Sequence, residues 1–141
     1  MASKTTNIIN KMMDKDAFSQ WLGIERVEES LGRVVLKMQI RADMLNGFGI
    51  AHGGISFAFA DSAFAFASNS QGRKAVSIET SISHTQALKE GDVIFATAAE
   101  EHLSHKIGNY KVNVHKADGT LVAIFKGTVY RSSKEWITDE K

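Results

Sequence analysis

The chain has 141 residues, no cysteine and a formal net charge of +1, and its pI is near 8.0. This length predicts one domain with a core of its own. The absence of cysteine excludes disulfides, zinc–thiolate sites and thiol nucleophiles. Because no basic stripe is present, we expect no binding to nucleic acid. No apolar segment reaches the length of a signal peptide or a membrane span, so we expect a cytoplasmic protein that does not bind membranes.

The first part of the chain predicts helices followed by two strands. Within an N-terminal helical segment (residues 1–22), apolar residues at helical spacing predict a helix over residues 6–21, broken near Asp14. Residues 24–28 and 33–40 predict two strands around a tight turn. Alternation of apolar and polar residues in the second is typical of a strand with one buried face.

Residues 45–72 carry the most information, and they read LNGFGIAHGGISFAFADSAFAFASNSQG. A glycine-rich loop leads into a helix that is apolar on all sides, with Asp61 as its only charge. Such a helix is predicted to be buried. An ionised carboxylate inside it costs several kcal/mol unless it is paired or has a chemical task. Asp61 is therefore the first candidate for a functional residue.

The remainder of the chain predicts antiparallel strands. They are expected over residues 75–87, 93–102, 108–116 and 121–130, with Asp118-Gly119 as the hairpin turn between the last two. Residues 132–141 predict a loose tail.

The order of these elements predicts an α+β fold. We expect a curved antiparallel sheet of five to six strands wrapped around the long helix, and a second copy of the chain covering what the sheet leaves open.

Two interpretations of Asp61 and of the glycine-rich loop remain open from the residues themselves. Asp61 is either a structural carboxylate held by serine hydroxyls and backbone amides, or a poorly solvated base or nucleophile. His52-Gly53-Gly54 lies where first-turn amides carry a positive partial charge and glycine lets a ligand approach, so this segment could hold an oxyanion. It could equally be a tight helix entry, and Asn46-Gly47 could be only a turn.

Two other types of site are rejected. Ser56, between Gly54 and Ala58, resembles the nucleophile elbow of serine hydrolases, but such an elbow follows a strand, whereas a glycine-rich loop precedes this serine. The histidines show no paired spacing on a helix that would predict a metal site. They are His52, His84, His102, His105 and His115.

A longer pattern resembles the hotdog-fold acyl-CoA thioesterases, and most closely the PaaI branch associated with phenylacetic acid degradation. The resemblance spans about residues 15–131. Its central motif is Asn46-x5-His52-Gly53-Gly54-x2-Phe57-x3-Asp61-x-Ala63-x-Ala65-x-Ala67-x-Asn69, followed by Gly91-Asp92 and Gly127-Thr128-x-Tyr130-Arg131.

The resemblance implies hydrolysis of acyl-CoA thioesters at sites between the subunits of a homodimer or homotetramer. By similarity, the Gly53 amide binds the thioester carbonyl, and Asp61 of the other subunit acts as general base or nucleophile. Asn46 and His52 orient the carboxylate, the water or the thioester. Ser77 is a weaker match to an assisting serine. No cofactor is expected, because coenzyme A is part of the substrate.

Further substrate contacts are expected around this site. Gly54 lies beside the oxyanion donor, and cations near the site mouth would bind the coenzyme A phosphates. Arg73 with Lys74 and His105 with Lys106 are the candidates for these cations.

The main alternative function is a non-catalytic module that binds acyl-CoA, and a hydratase on the same fold is a third possibility. The residues do not define the acyl group, for which we expect an aryl-acetyl or medium-chain type.

Overall fold

The computed structural model describes residues 2–138. This part of the chain forms three α-helices and six β-strands. The helices are α1 (Lys4–Lys15), α2 (Ala17–Leu22) and α3 (Gly53–Asn69), and a short 3₁₀ turn lies at Ala42–Met44. The strands are β1 (Glu25–Ser30), β2 (Arg33–Gln39), β3 (Arg73–His84), β4 (Val93–Leu103), β5 (Ile107–Lys116) and β6 (Leu121–Glu135).

The strands form one antiparallel sheet in the order β1-β2-β4-β5-β6-β3, which curves around α3. Buried apolar residues from α3 and from the facing side of the sheet make up one continuous core. The hairpin predicted at Asp118-Gly119 joins β5 to β6, and Gly119 adopts a φ of 90° there. The predicted α+β fold, with a long helix wrapped by an antiparallel sheet, is confirmed.

The centre of α3 packs very closely on β6 at Gly127. A Cβ atom placed on Gly127 would lie 2.6 to 2.8 Å from three ring atoms of Phe64, which is only 1% exposed. The Phe64 ring also packs on Tyr110 and Phe125, at centroid distances of 5.9 and 5.5 Å. The ring therefore cannot move aside to make room for a methyl group on residue 127. Glycine at this position is therefore what allows the helix to approach the sheet.

Gly127→Ala is expected to lower the free energy of unfolding by about 1–3 kcal/mol, because the added methyl group overpacks a dense core. The measurement is urea unfolding followed by circular dichroism. Gly47→Ala is the matched control: a Cβ placed on Gly47 would meet nothing within 4 Å, and the φ of this residue is not positive. An unfolding free energy for Gly127→Ala equal to that of the control would contradict this packing argument.

The helix break lies two residues beyond the predicted position. We predicted a break near Asp14, whereas α1 continues to Lys15 and Asp16 separates it from α2. The reason is capping: the Asp16 carboxylate accepts a hydrogen bond from the Ser19 backbone N–H at 3.0 Å, which starts the second helix.

The predicted loose tail is wrong over its first four residues. Residues 132–135 continue β6, and Glu135 pairs with Arg73 at the start of β3. Trp136 Nε1 also donates to Asn69 Oδ1 at 2.7 Å. The polar composition concealed this because strands pair through backbone hydrogen bonds, which any sequence can make. Residues 139–141 lie outside the described residues.

The prediction that α3 leaves no face to water is only partly correct. Phe57, Ala58, Asp61 and Ala65 recur at helical spacing and form a partly exposed stripe. Strand β3 forms an edge of the sheet. Its apolar residues Val76 and Ile78 are 60% and 57% exposed and do not lie on a buried face. The single chain thus leaves one side of α3 and one sheet edge uncovered.

Within residues 2–138, no helix is both long enough and apolar enough to span a membrane.

Candidate active site

The side chain of Asn46 stabilises the turn at the start of the loop that precedes α3. Its Oδ1 atom accepts hydrogen bonds from the backbone N–H groups of Phe48, at 2.9 Å, and Ile50, at 3.4 Å. The backbone of Asn46 also donates to the Ile50 carbonyl at 2.8 Å. Asn46 therefore forms the predicted turn, and the same turn places it beside the N-terminus of α3.

The backbone N–H groups of the first two residues of α3, Gly53 and Gly54, differ in whether they are hydrogen-bonded. His52 is the N-cap, and its Nδ1 accepts the Gly54 N–H at 2.9 Å, so a neutral ring carries its proton on Nε2. The Gly53 N–H finds no acceptor within residues 2–138. Of the two predicted glycine amides, Gly53 is therefore free to bind an oxyanion, and Gly54 is occupied by His52.

A cavity of about 390 Å³ lies against this free amide. Its walls combine polar groups with apolar side chains; they are Asn46, Ile50, Ala51, Gly53, Ser56, His84, Thr85, Gln86, Ala87, Leu88 and Val122. The structure thus brings Asn46 and Gly53 together at one cavity. A cavity in which polar groups converge beside apolar side chains is a candidate ligand site.

His84 belongs to this cavity and received no role from the sequence. Its Nε2 lies 3.3 Å from Ser56 Oγ, and its Cε1 would lie 2.9 Å from a Cβ on Gly53. His84 is the last residue of β3, and only the crossing of β3 past the start of α3 brings it here. The sequence shows only that His84 alternates with apolar residues in β3. This pattern places His84 on one face of a strand but does not predict that it lines a cavity.

His52 faces a second cavity of about 400 Å³ on the other side of the α3 N-terminus. Its lining is mostly apolar and includes two aromatic residues of α2, Phe18 and Trp21, whose rings stack with a centroid distance of 5.8 Å. The structure therefore separates His52 and Gly54 from the cavity that contains Asn46 and Gly53.

Asp61 lies eight residues after Gly53 on α3, about 12 Å along the helix axis at about 1.5 Å per residue. It does not line either cavity. Burial raises the pKa of its carboxyl group, and the negative charge of Asp16 raises it further. Within residues 2–138, no donor forms a hydrogen bond to this carboxylate. The structural interpretation of Asp61, a carboxylate held by serines or amides, is therefore not what the structure contains.

The segments that carry Arg73 and Lys106 meet at one end of the sheet, whereas Lys74 Nζ lies 4.8 Å from the centre of the Trp136 ring. Arg73 donates to the His105 carbonyl, and the Arg131 backbone N–H donates to the Lys106 carbonyl at 2.7 Å. The guanidinium groups of Arg73 and Arg131 donate to the carbonyls of two consecutive residues, His105 and Ser104. Burial lowers the pKa of the Arg131 side chain, and the charge of Arg73 lowers it further. We call Arg73, Lys106 and Arg131 the basic cluster. Arg131 was not among the cations predicted from the sequence.

Ser77 does not join these groups in the single chain. It is exposed on edge strand β3, where it pairs with Val129 of β6. Residues 2–138 also contain no cluster of three or more histidine or acidic side chains that could hold a metal ion.

Comparison with known proteins assigns this geometry to a family. A model of the thioesterase superfamily matches residues 48–123, which is more than half of the chain. Two curated proteins match along most of their length. The acyl-coenzyme A thioesterase PaaI of Escherichia coli is 35% identical over 131 residues, 93% of this chain and 94% of that protein. A putative esterase of Archaeoglobus fulgidus is 34% identical over 138 residues, 95% and 90% of the two chains.

Solved structures support the same family. The structure of the E. coli PaaI protein superposes with a TM-score of 0.91 at 34% identity, covering 94% of this chain and 96% of that one. A hypothetical thioesterase protein from Streptococcus pneumoniae, solved with coenzyme A, superposes with a TM-score of 0.83 at 25% identity, covering 89% of this chain and 98% of that one.

The chain therefore belongs to the thioesterase superfamily, in its PaaI-like branch. The predictions of a hotdog fold and of a thioester hydrolase are confirmed.

Proposed function

We propose that this enzyme hydrolyses acyl-CoA thioesters, with an aryl-acetyl or medium-chain acyl group, to a free acid and coenzyme A. The observation that carries the proposal is the Gly53 N–H, which has no acceptor within the described residues and borders the cavity beside Asn46. A fixed amide at a helix N-terminus stabilises the negative charge that develops on a carbonyl oxygen during acyl transfer. The similarity to E. coli PaaI supports acyl-CoA as the thioester.

In the proposed reaction, Asp61 takes a proton from water as the water oxygen bonds to the thioester carbon. The carbonyl oxygen becomes an oxyanion and accepts the Gly53 N–H. Collapse of this intermediate breaks the C–S bond, and the coenzyme A sulfur leaves and takes up the proton. Direct attack by the Asp61 carboxylate on the carbon, followed by hydrolysis of the resulting anhydride, is the second route. Asn46, which borders the cavity beside Gly53, orients the reacting groups, and His52 fixes the start of α3 through its bond from the Gly54 N–H. No cofactor takes part.

A homodimer is part of this proposal. Because Gly53 and Asp61 lie about 12 Å apart along one helix, they cannot both touch one thioester from the same chain. A second copy would supply Asp61 to the site that contains Gly53. The partly exposed stripe that carries Asp61 and the free edge of β3, with its exposed Val76 and Ile78, support this arrangement. A tetramer formed from two dimers would follow the resemblance. The cytoplasmic location remains a prediction.

The experiment that tests the function is a steady-state assay with detection of the free thiol. Phenylacetyl-, hydroxyphenylacetyl-, benzoyl- and straight-chain acyl-CoAs serve as substrates. We expect turnover of at least one acyl-CoA in this panel. Calorimetric binding of these esters without any turnover would instead favour the non-catalytic acyl-CoA module.

The basic cluster is proposed to bind the phosphates of coenzyme A. Lys106→Gln is expected to raise KM for acyl-CoA about two- to fivefold at low salt with little change in kcat, because an exposed ion pair contributes modestly and is screened by salt. The control substrate is the same acyl group on N-acetylcysteamine, which lacks phosphates. The control variant is Lys15→Gln, an exposed cation at the end of α1. Equal effects on KM for the two substrates would contradict this assignment.

A further inference from the structure

The junction between α1 and α2 is connected to α3 by a chain of three side chains. The Asp16 carboxylate accepts hydrogen bonds from the Ser19 backbone N–H, at 3.0 Å, and from Ser19 Oγ, at 2.7 Å. Ser19 Oγ lies 2.8 Å from Ser62 Oγ, and Ser62 directly follows Asp61. This hydrogen-bonded chain therefore ends next to the proposed base.

The chemistry of the three groups orders the protons along the chain. A carboxylate only accepts, so the single hydroxyl proton of Ser19 goes to Asp16. Ser19 Oγ must then accept the hydroxyl proton of Ser62. Both serines are buried, at 1% and 9% exposure, so water does not compete strongly for these bonds. Loss of one member would leave a buried hydroxyl unpaired, which is unfavourable.

Asp16 also places a negative charge near Asp61. Burial raises the pKa of Asp61, and Asp16 is the charged residue that adds to this effect. Other charges nearby are directed elsewhere: Lys11, Asp14 and Lys15 of α1 are exposed. Helix α2 carries no charged residue.

Glu100, a charged residue of β4, is engaged by other side chains. Its Oε1 accepts hydrogen bonds from Tyr110 and Gln71, both at 2.8 Å, which engages this carboxylate away from Asp61. Asp16 is thus the charged residue that acts on the Asp61 carboxylate.

We propose that Asp16 and Ser62 are positioning residues for Asp61: the Asp16–Ser19–Ser62 chain fixes the turn of α3 that bears the base, and the Asp16 charge sets its electrostatic environment. This inference rests on the proposed function of Asp61. Capping of α2 alone would require only a neutral acceptor such as asparagine. The Asp16 carboxylate does more than cap α2, because it is linked through Ser19 to Ser62, the residue next to Asp61. The Asp61 carboxylate has no hydrogen bond of its own within the described residues.

Asp16→Asn tests the charge, because asparagine also caps helices well but is neutral. We expect the Asp61 pKa, measured by ¹³C NMR titration of its side-chain carboxyl group, to fall, because a neighbouring negative charge is removed. A base works when it is deprotonated, so the acidic limb of kcat/KM against pH should shift to lower pH by the same amount. Asp16→Ser is a second variant with a neutral cap and should have the same effects. Asp14→Asn, the matched change on an exposed aspartate, should shift neither the Asp61 pKa nor the acidic limb of kcat/KM.

An unchanged Asp61 titration in both neutral variants would overturn the electrostatic part of the inference. The NMR measurement does not depend on turnover, so it separates the inference from the proposed function. If Asp61→Asn stays active, the function of Asp61 fails whatever the titration shows. If Asp61→Asn is inactive and the titration does not move, only the inference fails.

Ser62→Ala tests the connection between the helices. We expect kcat to fall about tenfold with KM within about twofold, since small displacements of a catalytic group are costly. Ser68→Ala is the matched control, because Ser68 is a buried serine of α3 that bonds only within the helix, to the Ala65 carbonyl at 3.2 Å. An equal loss of kcat in the two variants would overturn the positioning role of Ser62.

Discussion

Asp61→Asn is expected to lower kcat by about 10²- to 10⁴-fold, the usual contribution of a positioned base. Asparagine has nearly the same shape as aspartate but cannot take a proton from water or attack the thioester. Because the carboxylate makes no hydrogen bond within residues 2–138, the substitution should not disturb the helix. Substrate binding should therefore change by no more than about threefold, which is the signature of an interaction needed only in the transition state.

The measurement combines the free-thiol assay with calorimetric binding of a substrate that the native enzyme hydrolyses. Asp14→Asn, on the exposed end of α1, is the control and should retain full activity. Hydrolysis by Asp61→Asn within about tenfold of the native rate would show that the proposed mechanism is wrong, since a lost base costs more than this.

Gly53→Pro is expected to lower kcat by about 10²- to 10³-fold, because it removes the N–H that stabilises the oxyanion. The local backbone is suited to this change. Proline is favoured at the first position of a helix, and the preceding His52 already has the extended conformation, φ −58° and ψ 136°, that a following proline requires. The loss should therefore reflect the missing donor rather than a broken helix, and circular dichroism would check this.

Gly53→Ala is the matched control for this variant. It adds a Cβ in the same place, 2.9 Å from His84 Cε1, but keeps the N–H. The difference in kcat between the alanine and proline variants then measures the amide itself. Equal rates for the two would assign the loss to the contact with His84 and remove Gly53 from the mechanism.

Mixing the Asp61→Asn and Gly53→Pro chains tests whether sites form between subunits. If each site combines Gly53 of one chain with Asp61 of the other, a mixed dimer contains one intact site. Random re-association of equal amounts should then restore about a quarter of native activity. Sites contained within one chain would show no restoration.

The sequence determined the elements and the central motif because both depend on local chemistry. Periodicity placed α3 and the strands, since apolar residues must face the core at the repeat of their element. It also singled out Asp61, because an ionisable group in an apolar helix conflicts with burial wherever that helix packs. Strand ends were less accurate: β6 runs to Glu135 rather than to residue 130, since backbone pairing holds polar residues as well as apolar ones.

Only the tertiary structure decided which side chains meet. His84, the basic cluster and the Asp16–Ser19–Ser62 chain each join residues from separate elements, and no spacing in the sequence encodes their distances. The structure also separated the two glycine amides, because the orientation of the His52 ring occupies Gly54 and leaves Gly53 free. Chemistry held within one helix can be predicted from its sequence, whereas chemistry assembled across elements depends on how those elements pack.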